Sequence, residues 1–248
     1  MPVLTCDHVS IRYKVGDFRN IGLKETIMRK IKGTYRVEEF WADRDICFSL
    51  ERGEMLGIIG TNGAGKSTLL KAVSGIMKPS AGVIITSGTI SALLELASGF
   101  DPDLSIRRNA YLRGAMLGYT REFMDEKYEE IIDFAELRAF EDRSFKQLST
   151  GMQSRLAFAI ASLVKPDILI LDEVLSVGDG AFAEKSAGKM REILRGGTTT
   201  ILVSHSLDQV RELCNKVLWL HQGRQIVFGE SDPICDRYQA FLHGEIEL

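Results

Sequence analysis

Apolar positions along this chain change period as it proceeds. Near the start, Val3, Val9, Ile11 and Tyr13 stand among polar neighbours, which predicts a strand over residues 3–13. Asp45 to Leu50 predicts a second strand. Met55-Leu56-Gly57-Ile58-Ile59 predicts a short buried one that runs into a glycine-rich turn. Ser67 to Ser74 then reads as a helix, with Gly75 as its stop signal. From about Asp101 to Ser162 the spacing is helical, and Tyr128, Ile131, Ile132 and Ala135 share a face with charges between them. Beyond Lys165, strands and helices alternate. Ile168-Leu169-Ile170-Leu171 and Thr200-Ile201-Leu202-Val203 are unbroken apolar runs, typical of strands covered on both faces. Such alternation predicts a parallel sheet with crossover helices, interrupted by the helical stretch as an inserted block. A last helix is predicted around Asp232 to Leu242, with no internal repeat and no low-complexity linker.

Composition narrows the class only a little. The 248 residues are 45% hydrophobic and 26% charged, ordinary for a globular chain with its own core. A formal net charge of −3 gives no global attraction to nucleic acid. Cys6, Cys47, Cys214 and Cys235 are scattered, without a CxxC pair or a zinc-type Cys/His spacing, and read as reduced thiols. The best apolar run, Leu156 to Val164, lies between Arg155 and Lys165. It falls far short of the roughly 20 residues that span a bilayer. The N-terminal residues lack the basic-then-apolar order of a secretion signal.

The glycine-rich turn carries the first chemistry. Gly60-Thr61-Asn62-Gly63-Ala64-Gly65-Lys66-Ser67-Thr68 matches G-x-x-x-x-G-K-[ST], with a buried strand before it and a helix after it. Glycines let backbone N–H groups converge on phosphate oxygens, and the helix N-terminus faces the same anion. Lys66 would reach the β- and γ-phosphates, and the Ser67 hydroxyl would ligate Mg²⁺. The run Ile168 to Leu171 then ends in Asp172-Glu173. Asp172 fits the carboxylate that helps hold Mg²⁺ from a neighbouring strand, and Glu173 fits the group that orients or deprotonates an attacking water. A GTPase would carry N-K-x-D, but Asn215-Lys216 is followed by Val217-Leu218.

Leu148-Ser149-Thr150-Gly151-Met152-Gln153, about twenty residues before Asp172, resembles the signature motif of ABC ATPases, L-S-G-G-Q. With that match, other pieces fall in the family's order. Tyr13 resembles the aromatic residue that stacks on adenine, and Glu95 stands where the Q-loop glutamine usually is. Ser176-Val177-Gly178-Asp179 resembles the D-loop, and His205 resembles the switch histidine. The resemblance implies an α/β P-loop NTPase with a RecA-like parallel core, a small antiparallel β region and an inserted α-helical subdomain. Its parts would be a core of about 1–97 and 164–230, helices of about 98–163, an insertion at 16–40 and a C-terminal helix of about 231–243, in one domain. It also implies ATP and Mg²⁺ as ligands, with Glu173 and His205 catalytic. Ser67, Glu95 and Asp172 would lie at the metal. Two copies would sandwich ATP, each offering Ser149, Thr150, Gly151, Met152 and Asp179 to the other's phosphate loop.

Three variants narrow the resemblance: Ser-Thr-Gly-Met in the signature, Val-Gly-Asp in the D-loop, and Glu95 in the Leu93 to Phe100 segment. Together they are similar to the ATPase subunits of bacterial polysaccharide exporters for O-antigens, capsules or teichoic acids. The implied partners are a second copy, a separate membrane permease and a lipid-linked glycan, at the cytoplasmic face of the membrane. The insertion fits the same group. Leu23, Ile27 and Ile31 share a helical face with Met28 beside them, and Lys24, Arg29, Lys30 and Lys32 make the stretch basic. It is expected to meet anionic head groups or a pyrophosphate-linked substrate. An additional C-terminal carbohydrate-binding domain, carried by some O-antigen exporters, is not expected here. Two rival readings stay open at this point: an exporter of drugs or non-glycan lipids, and a non-transport ABC ATPase acting on DNA or ribosomes. Against the latter, no long coiled-coil insertion and no second ATPase unit is present.

Overall fold

The computed structural model describes residues 2–16, 37–92, 99–162, 166–172, 180–204 and 206–248, the side chains of 14–16 and 37 excepted. In chain order the elements are β1 (Leu4–Gly16), β2 (Val37–Leu50), β3 (Met55–Ile59), α1 (Lys66–Val73), β4 (Ala81–Thr86) and β5 (Ile90–Ala92). The helical block follows as α2 (Ile106–Met116), α3 (Arg121–Ala135) and α4 (Thr150–Ser162). Then come β6 (Ile168–Asp172), α5 (Gly180–Arg195), β7 (Thr199–Val203), α6 (Leu207–Leu213), β8 (Lys216–His221), β9 (Arg224–Glu230) and α7 (Ser231–Leu242). Two compact units divide the chain. One takes residues 1–3, 50–57 and 87–216, and the other takes 4–49, 58–86 and 217–248.

The first unit contains the parallel ladder that the apolar runs predict. Ile168 pairs with Thr199 and Ile90 with Ile168, giving the order β7-β6-β5. Every residue of β7 and all of β6 before Asp172 are buried. This is why both strands read as continuous apolar runs rather than as alternations. On the other flank of β7, the Thr200 amide donates to the Glu54 carbonyl at 3.0 Å, just before β3. A Cβ at Gly57 would lie 2.6 Å from Val210 Cγ1, so α6 crosses β3 where a side chain is missing. The helical block has its own apolar centre, in which Tyr128, Ile131, Ile132, Leu156 and Ile160 are all buried. Its polar rim is tied down too. The Tyr128 hydroxyl donates to Glu141 at 2.9 Å, and the Arg107 guanidinium lies 4.4 Å from the Tyr128 ring centre. Among the described residues, no helix is long and apolar enough to cross a membrane.

The second unit mixes parallel and antiparallel pairs in the order β4-β1-β2-β9-β8. β1 and β4 run antiparallel, with Leu4 opposite Thr86, and their register shifts between Asp7 and Ser10. His8 sits at that shift with a left-handed φ of 50°. β2 begins at Val37, earlier than the Asp45 read from the sequence. Phe40 and Trp41 favour an extended chain, but the charges around them hide a strand pattern. On β8, Val217, Leu218, Trp219 and Leu220 have no exposed surface. α7 covers Trp219 through Tyr238 and Phe241, with ring centres 5.2 and 5.4 Å away.

Candidate phosphate-binding site

The predicted phosphate loop leaves the buried β3 at Gly60 and enters α1 at Lys66. Two of its glycines are there because neighbouring backbone and side chains fill the space a Cβ would need. At Gly60, φ is 152° and a Cβ would lie 2.3 Å from the Leu220 carbonyl oxygen. At Gly65, φ is 110° and a Cβ would lie 2.0 Å from Asp43 Oδ1 and 2.9 Å from the Ala42 carbonyl oxygen. An ordinary residue at either position would push the loop off the strands beneath it. Around Gly63, by contrast, the space is open. Ala64 is buried, its amide donating to the Thr61 carbonyl at 3.1 Å and its carbonyl accepting from Gly223 at 3.0 Å.

Lys66 is the unusual side chain here. Only 8% of it is exposed. Its ammonium donates to the carbonyl oxygens of Gly60 at 2.7 Å and Thr61 at 3.1 Å. The cation is thus folded over its own loop. α1 begins without a side-chain cap and without an acidic residue in its first turn, which leaves its first amide groups and dipole end to an anion. Ser67 and Asn62 are exposed, while Thr61 and Thr68 are partly so. An uncapped helix start, a loop of forced glycines and a buried lysine fit phosphate better than any neutral ligand.

Tyr13 lies in β1 of the same unit and is half-buried. Nearby in sequence, the Arg12 and Arg44 guanidiniums approach the Trp41 ring centre at 5.2 and 5.6 Å. Asp43 is a residue the sequence reading passed over. Its carboxylate is fully buried and packs on Gly65. Its signal was a break in phase. Ile46, Phe48 and Leu50 are buried at even positions, but the left-handed Asp45, φ 56°, interrupts the alternation and brings an odd position inside.

In the first unit, Asp172 ends β6, partly exposed and opposite Val203 of β7. Ser204 follows that register position, its hydroxyl donating to Gln209 Oε1 at 2.9 Å and accepting from the Ser206 amide at 3.0 Å. A carboxylate and a hydroxyl are hard oxygen donors, the kind Mg²⁺ takes, and Asp172 in the first unit and Ser67 in the second each have that chemistry. Ser149 stands at the start of α4, where its hydroxyl accepts from the Met152 amide at 3.3 Å. Ser149, Thr150 and Gly151 are exposed and Met152 is partly so, hence the motif caps the helix and still faces outward. Glu95, Glu173, Asp179 and His205 lie outside the described residues, as does most of the basic insertion.

Fold and loop together define a P-loop nucleotide-binding protein. Comparison with known proteins makes that more specific. The ABC transporter family model matches residues 44–176. The chain belongs to the ABC transporter family, as one of its ATP-binding, ATP-hydrolysing members. It is 37% identical to the O-antigen export system ATP-binding protein RfbB of Klebsiella pneumoniae, over 96% of this chain and 98% of that one. It is 40% identical to the teichoic acids export ATP-binding protein TagH of Bacillus anthracis, over 95% of this chain and 42% of the longer relative. Among solved structures, an ATP-binding subunit of an ABC transporter matches with a TM-score of 0.71 at 22% identity, covering 96% of this chain and 93% of that one. The dimeric post-hydrolysis state of the ATP-binding cassette MJ0796, bound to ADP and Pi, matches at 0.69 and 21%, over 92% and 98%. These two likenesses establish the fold.

Proposed function

We propose that this chain is the ATP-hydrolysing subunit of an exporter that moves a lipid-linked polysaccharide outward from the cytoplasmic face of the membrane. The observation that carries the reading is its likeness to an O-antigen export chain along nearly the full length of both proteins. The variant signature and the Glu95 segment favour the same group over drug or non-glycan lipid exporters.

The chemistry follows from residue types and from the roles the family resemblance implies. Backbone N–H groups of the Gly60 to Thr68 loop and of the α1 start receive the phosphates of ATP. Lys66 gives up the Gly60 and Thr61 carbonyls for phosphate oxygens, and exchanging neutral acceptors for anionic ones strengthens its hydrogen bonds. Ser67 and Asp172, with Glu95, would hold Mg²⁺, which when bound supplies charge neutralisation at the phosphates. Glu173 orients the attacking water, His205 contacts the γ-phosphate side, and Tyr13 stacks on the base. A second copy brings Ser149, Thr150, Gly151, Met152 and Asp179 to the same nucleotide. The exposed start of α4 supports that role, because a surface helix N-terminus is available to an anion held by another subunit. ATP then links two chains and its hydrolysis releases them, which gives a membrane permease partner a cyclic movement.

Sedimentation of the purified chain tests this. Glu173→Gln should dimerise when ATP is added and hydrolyse it at least a hundredfold more slowly than wild type, on the order of the loss typical for an acid–base group. Lys66→Ala should stay monomeric with ATP. A Glu173→Gln chain that remains monomeric and hydrolyses at the wild-type rate would overturn the assignment.

A further inference from the structure

Asp43 belongs to none of the roles above. It stands on β2 without exposed surface, and neither carboxylate oxygen has a hydrogen-bond partner among the described residues. What it packs against is the phosphate loop, through Gly65 at the N-cap of α1. The turn between β8 and β9 closes the same joint. Gly223 presses on Ala42, accepts from the Arg44 amide at 2.7 Å and donates to the Ala64 carbonyl at 3.0 Å. Asp43, Gly223 and the end of the loop are therefore packed together in one joint.

A carboxylate buried without hydrogen bonds favours its neutral form. Burial pushes the Asp43 acid up to about 7, so it changes charge near neutral pH. The charges on the surrounding segments are committed elsewhere. Lys66 points its ammonium at Gly60 and Thr61. Arg44 and Arg224 face each other across β2 and β9, both exposed, with Arg44 against Trp41. Asp45 is bonded to His8. A polyanion arriving on the loop adds like charge and favours neutral Asp43 further.

We propose that Asp43 is a positioning residue that couples nucleotide binding to a proton: neutral, it seats Gly65 and the phosphate loop, and ionised, it unseats the loop and repels the phosphates. The inference rests on the reading that this loop holds the phosphates of ATP. Above neutral pH, binding would then take up one proton from solvent onto an Asp43 oxygen. By linkage, raising the pH weakens binding by the same coupling.

The test is ATP affinity with Mg²⁺ from pH 7.5 to 9, where the nucleotide itself is already deprotonated. Wild type is compared with Asp43→Asn, which keeps the shape, and Asp43→Leu, which removes the polar group. Calorimetry in two buffers of different ionisation enthalpy counts the protons. Wild-type affinity should fall by up to about tenfold per pH unit, the limit for one linked proton, with proton uptake on binding. Both variants should show a flat profile and no uptake, and Asn alone decides the matter if the Leu variant does not fold. Wild type and Asp43→Asn titrating alike, with equal uptake, would overturn the coupling while leaving the loop's role intact. No ATP binding by the wild-type chain at any pH would overturn the loop reading and the coupling with it.

Discussion

Asp43 Oδ1 fills the space that a Cβ at Gly65 would need. One consequence at this scale concerns stability. The unfolded chain holds the Asp43 acid at its ordinary 3.8 and the folded chain at about 7, so between those values the folded state carries the extra proton. Stability therefore falls as pH rises through that window. Asp43→Leu should remove the Asp43 contribution to this slope. Its unfolding free energy should exceed that of wild type by on the order of 4 kcal/mol at pH 8 and by clearly less at pH 5. Urea titrations at the two pH values check this, and an equal difference at both would contradict it. The contrast between Lys66 and Asp43 explains what a sequence reveals. Lys66 belongs to an eight-residue spacing with a known chemical purpose, so its role could be read directly. Asp43 sits in a charged stretch, Asp43-Arg44-Asp45, and looks solvated until the left-handed Asp45 turns it inward. The same holds for Asp7, His8 and Cys47, which are unremarkable in the sequence. They have potential ligand atoms within 4.8 Å of one another because β1 lies beside β2.

Elements were legible where one face or both faces are uniformly buried. β6 and β7 read as strands because flanking elements cover both faces, and α3 because Met124, Tyr128, Ile131 and Ala135 line one side. β2 was read short because its first half is charged, and its pairing to β9 at Arg44 and Arg224 is long-range and leaves no local trace. Within the helical block, α4 does two jobs: it carries Ser149 at its exposed start and buries Leu156, Ala159 and Ile160 further along. Leu156→Ala should cost about 2–5 kcal/mol, as expected for a fully buried leucine whose cavity the neighbours only partly fill. Denaturant unfolding monitored by far-ultraviolet circular dichroism measures it. A cost below about 1 kcal/mol would mean that α4 is not packed against α3 as described.

At the scale of the whole molecule, the family was legible because its motifs are short, local and ordered along one chain. In the phosphate loop, Gly60 and Gly65 are dictated by the atoms that crowd them. The cargo is less local: it rests on a few variant positions and on relatives matched from end to end. The proposed function requires that ATP turnover by this chain move a lipid-linked glycan outward. The direct measurement replaces the native protein in its host with Glu173→Gln and quantifies lipid-linked glycan inside the cell and polymer at the surface. Accumulation inside with loss at the surface is the predicted result. Unchanged glycan on both sides, with ATP hydrolysis verifiably lost, would contradict it.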